Sequence, residues 1–158
     1  MEKIELEAYY PFAVDLVWEA LTQAGALAQW LMPNEGFALT PGKRFVFKDK
    51  PVMTWKGVYY CEMLEVNKPS RICWKRSDEE DLRDADIVSF TLKAEGAGTR
   101  LALSVEGFHG EKGAIMKPIF TQGWKLMIEK RLPQALAYAK DKGWSEFSPE
   151  RRLFEPIS

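Results

Sequence analysis

Ala85-Asp86-Ile87-Val88-Ser89-Phe90-Thr91-Leu92-Lys93-Ala94, then Glu95-Gly96-Ala97-Gly98, then Thr99-Arg100-Leu101-Ala102-Leu103-Ser104-Val105-Glu106-Gly107-Phe108 is a pair of alternating runs joined at a two-glycine turn. Successive side chains of a strand point to opposite faces, so Val88, Phe90 and Leu92 share one side, as do Leu101, Leu103 and Val105. The stretch predicts an antiparallel hairpin with one apolar face. Toward the N-terminus, Arg71 to Arg76 repeats the pattern through Ile72 and Trp74, after the turn Asn67-Lys68-Pro69-Ser70 and before the acidic run Ser77 to Asp84. Trp55 to Val66 is a longer strand, but Tyr59, Tyr60, Cys61, Met63 and Leu64 put apolar groups on both of its faces, which calls for a bulge or a second covered face. Pro41-Gly42 opens one more strand, Lys43 to Phe47, with Phe45 and Phe47 on the same side.

The flanks change period. Residues 3 to 10 alternate through Ile4, Leu6 and Ala8 and read as a strand ended by Pro11. Val14, Val17, Trp18 and Leu21 then recur at helical spacing, and Leu27, Trp30 and Leu31 make a second short helix closed by Pro33. His109 to Phe120, with Gly110, Gly113 and Pro118, reads as a loop. From about Thr121 to Lys140 the pattern is helical through Trp124, Ile128, Leu132, Ala135 and Ala139, with Pro133 predicting a kink or break near residues 129 to 133. The fold class is α+β: a curved antiparallel sheet around a long C-terminal helix, with two short helices after the first strand. Residues 1–142 form one domain, and the tail 143–158, with Trp144, Phe147, Leu153 and Phe154, is expected to dock on it.

Composition narrows the function. A chain of 158 residues, 46% hydrophobic, supports one core. A formal charge of -1 gives none of the clustered basic surface that displaces counterions from phosphate, so no nucleic acid is expected as partner. The N-terminus Met1-Glu2-Lys3-Ile4-Glu5 has no continuous apolar stretch of a secretory signal, and no run is long enough to insert into a membrane. A soluble cytoplasmic protein is expected.

Inventory bears on chemistry. If Asn67 to Ser70 is the turn, Val66 pairs with Arg71 and Cys73 faces Leu64, leaving Cys61 three positions out of register. At about 3.3 Å per residue that is close to 10 Å, beyond the roughly 7 Å limit for a disulfide, so both cysteines are expected as free thiols. A metal site needs three or four ligands at close spacing and His109 is the only histidine, so no metal and no cofactor are expected. His109 lacks an oriented nucleophile, and Gly96-Ala97-Gly98 is a turn rather than a phosphate cradle; no catalytic residue is expected and the chain is read as a non-enzyme. Three strand glutamates, Glu62, Glu65 and Glu106, are open cases, since any of them pointing inward would be a polar anchor or a perturbed acid.

What remains is a surplus of rings. Trp30, Phe37, Phe45, Phe47, Trp55, Tyr60, Trp74, Phe90 and Trp124 come from nearly every predicted element. They either fill the core or line an apolar cavity left where one helix fails to fill a curved sheet, and the second is favoured.

The ordered series Trp30, Pro33, Phe37, Pro41-Gly42, Phe45, Phe47, Gly57, Glu65-Val66, Pro69, Trp74, Phe90, Leu92, Thr99, Leu101, Leu103, Gly107-Phe108 and Gly123-Trp124 resembles the activator of heat shock protein 90 ATPase homologue family, over about residues 5 to 140. That family belongs to the START-like superfamily, with the birch pollen allergen, and the resemblance implies the helix-grip fold over a hydrophobic cavity. Two departures stand out. Gln23-Ala24 replaces an Asp-Pro pair common between the early helices, and Val105 replaces a histidine common before the Gly-Phe pair, which makes the expected cavity drier. The function expected is non-catalytic binding of a lipid-, polyketide- or flavonoid-like molecule, as carrier or sensor. The ligand-binding residues would be Trp30, Phe45, Phe47, Tyr60, Trp74, Phe90, Trp124, Met127 and Ile128, with Arg131 as anchor. Two alternatives stay open: a co-chaperone-like module with a chaperone as protein partner, although that activator also uses a separate N-terminal domain for which 158 residues leave no room, or a small cyclase-type enzyme.

Overall fold

The structure is a computed structural model and describes residues 2–108 and 110–152. The elements are β1 (Glu2–Tyr10), α1 (Val14–Thr22), α2 (Ala24–Trp30), β2 (Asn34–Glu35), β3 (Arg44–Lys48), β4 (Val58–Asn67), β5 (Arg71–Ser77), β6 (Asp86–Glu95), β7 (Gly98–Phe108), α3 (Gly110–Leu126), a π turn (Met127–Arg131) and α4 (Leu132–Lys142). All strands form one antiparallel seven-stranded sheet in the order β1-β7-β6-β5-β4-β3-β2, which puts β5 at its centre. The long helix crosses its concave face. This is the helix-grip arrangement that the resemblance implies.

Alternation sets the register. Val88 pairs with Val105, Phe90 with Leu103 and Leu92 with Leu101, while Ile4 pairs with Val105 and Leu6 with Leu103. Trp74 pairs with Val88 on one side and Met63 on the other. These residues form the inner face, and most of them belong to a single buried core. The ambiguity of β4 resolves as a bulge: the register shifts between Met63 and Glu65, leaving Leu64 as the extra residue. Before it Cys61 and Met63 face inward, and after it Val66 does, because one inserted residue flips every side chain beyond it.

The hairpin itself is one place tighter than predicted, with Asn67 opposite Arg71 and Cys73 opposite Glu65. Cys61 faces Arg76, three positions along β5 from Cys73, and both thiols are free and buried.

Two stretches of the long helix depart from simple pattern. The segment read as a loop, residues 109 to 120, is helical from Gly110 onward, with Pro118 inside α3; His109 itself is outside the described residues. Local breakers are overridden because α3 lies against β1 and β7 and buries Trp124, contacts that outweigh a propensity cost of about 1 to 3 kcal/mol per breaker. The break predicted at Pro133 takes the form of the π turn, closed by the Leu132 N–H donating to the Met127 carbonyl, with Pro133 in the first turn of α4. A proline cannot serve the carbonyl four residues back, and a widened turn accommodates that loss.

α1 and α2 pack against α4 and close one end of the cup. The tail covers them. Trp144 and Phe147 are buried, the Trp144 Nε1–H donates to Glu19 Oε2 at 3.0 Å, and the Asn34 N–H donates to the Pro149 carbonyl at 2.8 Å. Arg152 ties the end down through Asp49 and the Leu31 carbonyl, each at 3.0 Å. Leu153 and Phe154 lie outside the described residues.

Candidate functional site

The centre of the inner face is Trp74, on the central strand. Its ring centroid lies 5.5 Å from Phe90, 5.9 Å from Phe47, 6.0 Å from Phe45 and 6.4 Å from Phe37. Phe90 in turn touches Trp30 at 5.8 Å and Trp124 at 6.1 Å. Most of these pairs are edge-to-face or tilted, the geometry that the ring quadrupole favours. Six residues expected at the site, Trp30, Phe45, Phe47, Trp74, Phe90 and Trp124, are therefore brought together, from α2, three strands and α3. Ile128 is buried beside them in the π turn, and Met127 packs half-buried against the core.

The cup is packed with these side chains. Two concavities open elsewhere: one of about 480 Å³ on the outer face of the sheet, over Arg71, Ser89 and Thr91, and one of about 490 Å³ at the β3 edge, bordered by Glu35, Gly36, Arg44, Phe45 and Tyr60. The second exists because β2 pairs with β3 through only Asn34 and Glu35, leaving Arg44 and Phe45 paired to β4 on one side and to no strand on the other. Phe37, missing from the expected site, covers the ring cluster there. It is half-buried, 5.0 Å from Phe45, and its loop runs between Gly36 and Gly42, whose φ values of +76° and +88° suit glycine.

Tyr60 is a correction. Through the bulge at Leu64 it falls on the opposite face from Cys61 and pairs with Val46 and Ser77 on the outside. The same parity places Glu62 outward, where it faces Arg44 at 3.7 Å; Glu65 pairs with Arg71 at 3.1 Å and Glu106 with Lys3 at 3.0 Å, also outside. Arg131 sits near the tail: burial, then repulsion from Arg152, pushes its guanidinium below the usual arginine range, and Asp49 partly offsets this. Its Nε is buried without a hydrogen-bond partner among the described residues.

A polar group inside the cup went unread in the sequence. Arg76 follows Ile72 and Trp74 at period two, so it points inward, and it is only 7% exposed. Asp86 lies directly opposite on β6, and takes Nε and Nη2 of Arg76 at 3.1 and 2.7 Å. The guanidinium lies 4.4 Å from the centroid of Tyr59 and 5.6 Å from that of Trp124. Burial works against its charge, but the Asp86 carboxylate overcomes this and holds it above the usual range. Burial also raises the neighbouring Tyr59 phenol and Cys61 thiol, with Arg76 offsetting part of each shift. The alternation was the signal; a charged strand end hid it.

Four buried side-chain atoms among the described residues find no hydrogen-bond partner: Asn34 Oδ1, Arg131 Nε, Arg152 Nε and Trp74 Nε1, the last of them at the centre of the ring cluster. Trp74 is 1% exposed and its Nε1–H finds no acceptor, a loss that ordinarily costs about 1–3 kcal/mol. Among the described residues no group of three or more side chains could hold a metal, and no helix is long and apolar enough to cross a membrane.

Comparison with known proteins places this geometry. The family model described as activator of Hsp90 ATPase homolog 1-like protein matches residues 11–137. The chain belongs to that family. Among solved structures, the protein MLL2253 of Mesorhizobium loti is similar at 26% identity and a TM-score of 0.73, over 87% of this chain and 98% of that one. The Aha1 dimer of Colwellia psychrerythraea shares the fold at 15% identity and a TM-score of 0.69, over 90% and 98%. DynU16, a protein of the dynemicin biosynthetic locus, shares it at 21% identity and a TM-score of 0.63, over 96% of this chain and 51% of its own. No curated protein matches. Within the Hsp90-activator-like family, this member keeps the sheet-and-helix frame and fills its interior with rings and one ion pair.

Proposed function

We propose that this chain binds a hydrophobic small molecule without catalysis, as a cytoplasmic carrier or sensor, in the ring cluster around Trp74. The observation that carries this is the cover. A half-buried Phe37, on a loop between two left-handed glycines, lies edge-on over Phe45 and Trp74 at the rim of the ring cluster. Displacing that one phenyl ring uncovers the cluster, and the flat faces of Trp74, Phe45, Phe47 and Phe90 suit a planar lipid-, polyketide- or flavonoid-like molecule. The dynemicin-locus origin of DynU16 supports small-molecule chemistry for the fold. A cyclase would need a free inward acid, whereas Glu62, Glu65 and Glu106 pair with cations on the outer face and the inward Asp86 is held by Nε and Nη2 of Arg76.

Thermal shift across fatty acids, flavonoids and polycyclic ketones tests the proposal. A ligand at 100 times its dissociation constant adds about 2.7 kcal/mol, several degrees of melting temperature for a chain of this size. No shift with any class, together with unchanged tryptophan fluorescence, overturns it.

A further inference from the structure

The indole N–H groups of this protein divide in a telling way. Trp30 is as deeply buried as Trp74, and its Nε1–H donates to the Ala20 carbonyl at 2.8 Å. Trp55 donates to the Val58 carbonyl at 3.1 Å and Trp144 to Glu19 at 3.0 Å. Only Trp74 among these four is left with a buried donor and no acceptor. It is on the central strand, ringed by Phe37, Phe45, Phe47 and Phe90, none of which offers an oxygen or nitrogen. Its strand partners Met63 and Val88 offer none on their side chains either.

We infer that the Trp74 Nε1–H is the recognition donor of the ring-cluster site, and that its ligand is a neutral, planar, apolar molecule carrying an acceptor oxygen, of the aryl ketone or quinone kind. The inference rests on the binding proposed above and names the ligand class for it. An acceptor oxygen seated beside Trp74 would satisfy a group that the fold leaves unpaired, and a pure hydrocarbon would leave it so. An anion is disfavoured for a separate reason. The inward cation Arg76, 5.6 Å from the Trp124 ring, already spends Nε and Nη2 on Asp86 and so does not repay the desolvation of a carboxylate. Entry is by way of Phe37, the half-buried ring that lies over Phe45 and Trp74.

Fluorene and 9-fluorenone, nearly isosteric and differing by one carbonyl oxygen, test this with the full chain. Titration followed by tryptophan fluorescence should give fluorenone a roughly three- to tenfold tighter dissociation constant, the size of one neutral hydrogen bond, and W74F should abolish that preference, bringing the two dissociation constants together. The Trp74 indole cross-peak, assigned by contacts to Phe45 and Phe90, should move downfield with fluorenone and not with fluorene; this measurement needs no variant and decides the matter if W74F fails to fold. Equal affinities with an unmoved cross-peak overturn the donor role and leave hydrophobic binding standing. Binding of neither compound overturns both.

Discussion

The hydroxyl of Tyr10, near the end of β1, donates a 2.5 Å hydrogen bond to the carbonyl of Ile128, inside the π turn and 118 positions along the chain. A π turn displaces the regular backbone ladder, and a carbonyl displaced into the core needs a donor from elsewhere. Tyr10 supplies it from a fully buried position. Tyr10→Phe keeps the ring and removes the donor, so it should cost about 1–3 kcal/mol. Chemical denaturation would measure it; a cost below a few tenths of a kcal/mol would mean that the carbonyl is served otherwise.

The same burial makes stability fall in alkali. Burial raises the Cys61 thiol above its ordinary 9.0, and raises the Tyr10 phenol above its ordinary 10.0, with Glu129 adding to the effect. Each folded-state value exceeds the unfolded one, so the native state holds the proton longer. The contribution is complete below the unfolded value and is lost as pH rises through the folded one. Denaturation midpoints should therefore be level up to about pH 8, then decline from about pH 9 and faster past about pH 10. Cys61→Ala should flatten the first part of that decline. Midpoints unchanged between about pH 8 and pH 11 would contradict the burial of both groups.

Arg76 and Asp86 form the one ion pair among the described residues with both side chains less than 15% exposed, at 8% and 14%. Pairs such as Lys3–Glu106, about 40% exposed on each side, contribute little because water screens them, about 0–1 kcal/mol. Breaking the buried pair is different, since the surviving charge stays desolvated: Arg76→Met or Asp86→Leu alone should cost about 3–5 kcal/mol, and the double variant should recover much of it. A double-mutant cycle in urea checks this. Single costs that simply add would show that the two groups are not coupled.

Much of this architecture was legible because a period of two survives packing. Val88, Phe90 and Leu92 could only share a face, and so could Leu101, Leu103 and Val105. Tyr60 shows how that logic fails: counted back from Val66 without a bulge it faces inward, and the extra residue at Leu64 reverses it. β2 is two residues long and carries no periodicity to find. Gly110, Gly113 and Pro118 spoke locally for a loop, and only contact with β1 and β7 makes that segment helical. The rings of the site were all visible, but that they pack the cup was not, nor was the part of Phe37, whose place over Phe45 and Trp74 is set by a loop and no regular element.

Gly25 sets local propensity against tertiary packing. It lies within α2, where alanine is ordinarily favoured by about 1 kcal/mol, so propensity alone predicts that Gly25→Ala stabilises the protein. A Cβ at this position would lie 2.5 Å from the Phe147 carbonyl oxygen and 2.9 Å from its carbon, closer than backbone atoms tolerate. Since Phe147 belongs to the docked segment with Trp144, Pro149 and Arg152, the clash should lift that segment from α1 and α2. Gly25→Ala should accordingly lower the melting temperature, expose Trp144 to quenchers as its bond to Glu19 breaks, and admit protease between residues 143 and 152. A variant that melts higher with its tail still protected would show that α2 and the tail do not meet at Gly25.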